Sequence, residues 1–195
     1  MAGSSSTPQP PPEPPELVAA SEETLELVGR KTSVPLTVPE SSQPLLEAAS
    51  VGTGQALLSV EDIEAERDPG LVYGVYLNLP EGASDEERKL HHVGNVSFFG
   101  IEQLNDPDVT HETGAPGLRH TFEASDVINR LNEHELFDPA SMEVTFEPIT
   151  LLPPPGEEAS WVEETTETAA PPVKIGRVSL FILPPRDIPL ESPVA

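Results

Sequence analysis

Two apolar runs, LVYGVYLNL at 71–79 and VGNVSFF at 93–99, flank a charged connector at 81–92 and constrain the chain more than any other feature. Side chains on a strand change face at every residue. In the first run Tyr73, Val75, Leu77 and Leu79 therefore share one face, and Val72, Gly74, Tyr76 and Asn78 the other. That alternation predicts a strand with two unequal faces. Pro80 lacks a backbone donor and Gly82 permits a turn, so the run ends there. The second run carries the β-branched and aromatic types that strands favour. Four of the nine Phe, Tyr and Trp residues lie in these strands, which places the nucleus of the core here.

Other segments extend the pattern. TLELVG (24–29) alternates, and Pro35 confines SVPLTV (33–38) to an edge or irregular strand. Residues 39–54 read as loop. After ALLSV (56–60), the chain either begins a helical turn at Ser59 or Glu61 or runs straight into the strand at Leu71. Breakers at Asp106-Pro107-Asp108 and Gly114-Ala115-Pro116-Gly117 mark 102–117 as a long polar loop. LRHTFE (118–123) is an expected strand. Ser125 is a favoured helix N-cap, Asp126 suits the helix dipole, and Val127, Ile128 and Leu131 share a face, so a short helix runs to about His134. MEVTF (142–146) alternates and Pro148 stops it; VKIGRVSLFI (173–182) is the strongest strand, ended by Pro184 and Pro185.

About six to eight short strands with one short helix predict an all-β fold, an antiparallel β-sandwich with jelly-roll or Greek-key-like connections. The expected organisation is a disordered Pro/Ser/Glu-rich lead at 1–20, a sandwich domain at 21–183 with an acidic Pro-rich loop at 151–172, and a flexible tail at 184–195.

Composition narrows the function. The 195 residues carry a formal net charge of -24, from 10 Lys and Arg against 34 Asp and Glu. A surface of that sign repels nucleic acid and anionic membranes, so neither is an expected partner. Cysteine is absent, which excludes disulfides, thiolate metal sites and cysteine nucleophiles. No apolar run approaches the roughly 18 residues of a membrane span, and the start lacks the basic and apolar regions of a secretory signal. A soluble chain is expected, of unassigned location.

Chemistry-bearing constellations are sparse. Of the five histidines only His91 and His92 are close in sequence, and neighbours on an extended chain point apart. His111, Glu112 and His120 form the one candidate metal set, because imidazole and carboxylate donors lie near one another there. Ser97 sits in a strand without an evident base, and no Gly-x-Ser-x-Gly motif occurs. Carboxylate pairs such as Asp85-Glu86-Glu87 and Glu163-Glu164 fall in loops, where they stay solvated. Catalytic and cofactor-binding residues are therefore expected to be none.

Six segments in order carry a resemblance: VYLNLP (75–80), VGNVSFFGI (93–101), HETGAPGL (111–118), TFEASDVINRL (121–131), MEVTFEPI (142–149) and VKIGRVSLF (173–181). Together they resemble the C-terminal β-domain that follows the catalytic domain in tyrosinases and polyphenol oxidases, the type-3 copper proteins. In that family six histidines on a four-helix bundle hold the dinuclear copper; no such bundle is present here, and no histidine of this chain carries over as a ligand. The resemblance implies a non-catalytic accessory domain that packs on, shields or stabilises a tyrosinase-type catalytic domain, in cis or in trans. The copper belongs to that partner. In some family members a side chain of this domain covers the copper entrance; Trp161 is a candidate of that kind. The alternative is a free-standing binding module for a metal ion or small molecule, centred on His111, Glu112 and His120.

Overall fold

The alternating segments pair into two antiparallel sheets. A computed structural model describes residues 14–99, 101, 118–149 and 170–183. The first sheet contains β1 (Glu16–Ala20), β2 (Leu25–Leu27), β4 (Gln55–Ala65), β7 (Leu118–Glu123) and β9 (Val173–Leu183). Its central strand, β9, pairs β1 and β2 on one side and β4 on the other, and β4 pairs β7. The second sheet has the order β3 (Thr32–Leu36), β8 (Met142–Ile149), β5 (Val72–Leu77) and β6 (His92–Ser97). Only β5 and β6 are both consecutive and bonded; most other connections cross between sheets, so two core layers form rather than two independent hairpins.

The faces follow the period of two. Tyr73, Val75, Leu77 and Leu79 are buried, as are Leu58, Val60 and Ile63 of β4, Val144 and Phe146 of β8, and Ile175, Val178 and Leu180 of β9. Each large apolar side chain of this set contributes about 1.5–3 kcal/mol by leaving water. Tyr73 meets Phe98 edge to face, with ring centroids 6.0 Å apart, and its buried hydroxyl accepts a 2.7 Å bond from the Gly29 N–H. The antiparallel sandwich expected from the alternation is the observed fold.

Helical content is higher than expected. Residues 39–54, anticipated as loop, hold a short 3-10 turn (Glu40–Ser42) and helix α1 (Gln43–Ser50). The charged connector holds α2 (Asp85–His91), opened by a capping box in which Ser84 Oγ accepts from Glu87 N–H and the Glu87 carboxylate accepts from Ser84 N–H. The anticipated helix is α3 (Ser125–Glu133). Its N-cap is Ala124, not Ser125, because the Ser125 hydroxyl is taken by the N–H of Ala56 at 2.9 Å. Leu46 and Ala49 of α1 pack with Val127, Ile128 and Leu131 of α3 in the core, and Asn132 donates to the Ser50 carbonyl at the α1 C-terminus. With α2 packed against α3, these helices gather where β4 begins and β7 ends.

Three further boundaries differ. Glu16–Ala20, expected in the disordered lead, is a strand of the first sheet. β4 runs for 11 residues without a helical turn and bulges between Val60 and Ile63, with Asp62 at φ 53°. Gly176 faces that bulge, where a Cβ would come within 2.7 Å of the Asp62 Cβ. β8 continues through Pro148 because β3 ends at Thr32, opposite Phe146; beyond that point β8 has a neighbour only in β5. The expected disordered lead at 1–13, the polar loop at 102–117, the acidic loop through 169 with Trp161, and the tail at 184–195 lie outside the described residues.

The two sheets meet along both long sides. On one, Ala20 and Thr37 exchange backbone bonds of 3.2 and 2.8 Å, and Thr37 Oγ1 donates to Glu22. On the other, β6 and β7 approach without a shared ladder.

Candidate functional site

The second of these seams holds the one candidate metal residue that the structure describes. β7 alternates, so Leu118, His120 and Phe122 turn inward while Arg119, Thr121 and Glu123 turn out. Phe122 packs against β6: a Cβ on Gly94 would come within 2.5 Å of its ring, so only glycine leaves room for it. The His120 ring stacks on Phe122, 14° from parallel with centroids 6.3 Å apart, and donates to the Ser97 backbone carbonyl. His120 thereby ties the edge of one sheet to the edge of the other. Its Nε2 is enclosed and has no hydrogen-bond partner among the described residues. Burial pushes the imidazole below its ordinary pKa of 6.5, and the Ser97 bond offsets part of that shift.

His111 and Glu112, the other members of the expected set, lie outside the described residues. Among the described residues no three of His, Cys, Asp and Glu stand where they would hold a metal ion. The remaining described histidines have separate surroundings. His91 is buried at the end of α2 and its Nδ1 donates to the Leu77 carbonyl at 2.7 Å. His92 lies beside the Tyr76 ring, 5.3 Å between centroids, and donates to Asn95 Oδ1 at 2.9 Å.

Two polar clusters, neither singled out by the sequence reading, lie on the outer sheet faces. On the first sheet, Glu61 shares the outer face with Ser59, two residues before it. Its carboxylate takes bonds from Ser59 and Ser179, each at 3.3 Å, and an ion pair with Arg119 at 3.0 Å. Ser59, Ser179 and Glu61 are all buried, so the cluster is a paired structural network. On the second sheet, Arg88 of α2 reaches Glu147 of β8 at 2.9 Å while its Nε donates to the Ala83 carbonyl. Tyr76 lies near this pair; burial raises its pKa most, Glu147 raises it further and Arg88 opposes. No short-range motif announces either cluster, since each joins residues from different strands.

Among the described residues, large exposed apolar side chains occupy three places: Leu17 on β1, Val51 and Leu136 just beyond the ends of α1 and α3, and Phe99 where β6 ends, 88% exposed. No helix among the described residues is long and apolar enough to cross a membrane.

Comparison with known proteins gives fold neighbours and a family. Recombinantly expressed latent aurone synthase, a polyphenol oxidase, aligns with a TM-score of 0.41 and 12% identity over 81% of this chain and 25% of its own. Latent apple tyrosinase aligns with a TM-score of 0.44 and 19% identity over 83% of this chain and 28% of its own. The chain thus spans about a quarter of the length of these solved structures. No curated protein matches it. The family model described as "Domain of unknown function (DUF7868)" matches residues 14–182, from β1 to near the end of β9, and the chain belongs to that family.

Proposed function

We propose that this chain is a non-catalytic accessory domain that packs on a tyrosinase or polyphenol oxidase-type catalytic domain and shields or stabilises it. One observation carries the reading. Five of the six segments that resemble the C-terminal β-domain of that family lie in the load-sharing elements of the sandwich, while 111–117 lies outside the described residues: 75–80 closes β5, 93–101 holds most of β6 with Phe98, 121–131 holds the end of β7 and most of α3, 142–149 is β8, and 173–181 is most of β9. A resemblance confined to surface loops would carry far less, because loops vary freely while core strands fix the architecture.

Dinuclear copper belongs, in this reading, to the catalytic domain; this chain supplies surface and shape. The test is copper content and diphenol-oxidase turnover of the purified chain. Neither stoichiometric copper nor turnover is expected. Either one would overturn the reading.

A second reading, a free-standing module for a metal ion, has one observation in its favour, the unpartnered Nε2 of His120. Zinc or copper that broadens the His120 ring resonances at stoichiometric loading, and loses that effect in His120→Phe, would favour it.

A further inference from the structure

We propose that the β6–β7 seam is an acid-sensitive latch with the His120 imidazole as its trigger. Unlike the neighbouring strands within each sheet, β6 and β7 approach with no backbone ladder between them. What joins the seam is the Phe122 ring over Gly94 and the bond from His120 to the Ser97 carbonyl, with the His120 ring stacked on Phe122 within β7. The stack on Phe122 and the bond to Ser97 both depend on the imidazole staying where it is.

In its neutral form the ring fits. One nitrogen donates to Ser97, and the other, Nε2, carries only a lone pair into its enclosed surroundings. A proton can add only at Nε2. That creates a cation and an N–H donor with no acceptor in reach among the described residues, and a buried unpaired donor or charge is costly.

The groups around the ring offer no relief among the described residues. β4 presents Val60 opposite His120, with Leu58 and Ile63 beside it on the same face. β6 presents Gly94, Val96 and the Ser97 carbonyl, and β7 itself contributes Leu118 and Phe122. Glu61 and Arg119 hold their charges on the other face of the first sheet, and Arg177 stands there with them. His92, Asn95, Glu147 and Arg88 stand on the outer face of the second. The protonated ring gains solvation by swinging out of the seam. That motion breaks the Ser97 bond and the Phe122 stack together, and β6 parts from β7.

The sign follows from the direction of the shift. An imidazole that binds its proton less readily folded than unfolded makes the native seam most stable above the ordinary value of 6.5, and stability is lost as pH falls below it.

Amide hydrogen exchange on the full chain, corrected for intrinsic rates, tests this between about pH 7.5 and about pH 5.5, the range in which histidine titrates. The expected result is a several-fold loss of protection in β6 and β7 at the acid end, with β4–β9 amides much less affected, and no such loss in His120→Phe. Equal loss in wild type and His120→Phe, or seam protection indifferent to pH, overturns the latch. Should His120→Phe fail to fold, NMR titration of the wild-type His120 ring decides: a midpoint below 6.5 supports the proposal and one at or above it overturns it.

Discussion

The sandwich is sewn along its two long sides by different means. At Ala20 and Thr37 the sheets exchange two backbone hydrogen bonds, while at β6 and β7 they touch through Phe122, His120 and a glycine. A backbone bond survives almost any substitution that keeps the main chain in place, because every residue but proline supplies both donor and acceptor. A side-chain contact is only as durable as the side chain. The first seam is therefore indifferent to sequence and pH, and the second is exposed to both.

Substitutions sharpen that contrast. The largest effect is expected for Phe122→Ala, which empties the side-chain seam; it should cost about 2–4 kcal/mol, the range for removing much of a packed aromatic ring. Urea denaturation would show it as a lowered midpoint. Gly94→Ala comes next, at about 1–3 kcal/mol, because the added Cβ meets the Phe122 ring and forces it aside. If Gly94→Ala were neutral by the same measurement, the close packing of β6 on β7 would be refuted.

Acidification ranks below these. Midpoint stability of the wild type should fall as pH drops below 6.5, since the His120 imidazole is held below that value, and His120→Phe should flatten this part of the profile. Smallest of all is Thr37→Ala in the backbone seam. It removes the exposed side-chain bond to Glu22 but leaves both main-chain bonds, so a change within about 0.5 kcal/mol is expected. A loss comparable to that of Phe122→Ala would abolish the distinction between the seams.

The same contrast explains what could be read from the sequence. Tyr73, Val75, Leu77 and Leu79 announce their face by alternation, and so do 118–123 and 173–182, because strand faces are set by local period. Pro35 correctly marks β3 as the end strand of its sheet. The two missed helices are short, and their signals were masked by neighbours. Pro44 looks like a breaker but stands in the first turn of α1, where its missing N–H costs nothing. Ser84 and Glu87 spell a capping box within a stretch whose charges suggest a plain connector.

Features that depend on distant partners were out of reach. Ser125 is an adequate N-cap by type, yet its hydroxyl is claimed by Ala56 from another strand. His120 is legible as a histidine on a strand. That its ring closes a seam depends on Gly94 and Ser97, which belong to the opposite sheet. The Glu61 network likewise joins β4, β7 and β9 through partners that no local pattern marks.

The central claim, an accessory domain for a copper oxidase, is tested most directly by mixing. The purified chain would be titrated into a separately purified tyrosinase catalytic domain while binding heat, diphenol-oxidase rate and thermal midpoint are followed. Saturable binding with a lowered rate or a raised midpoint is the predicted result. No binding heat, with rate and midpoint unchanged at saturating chain, would contradict it.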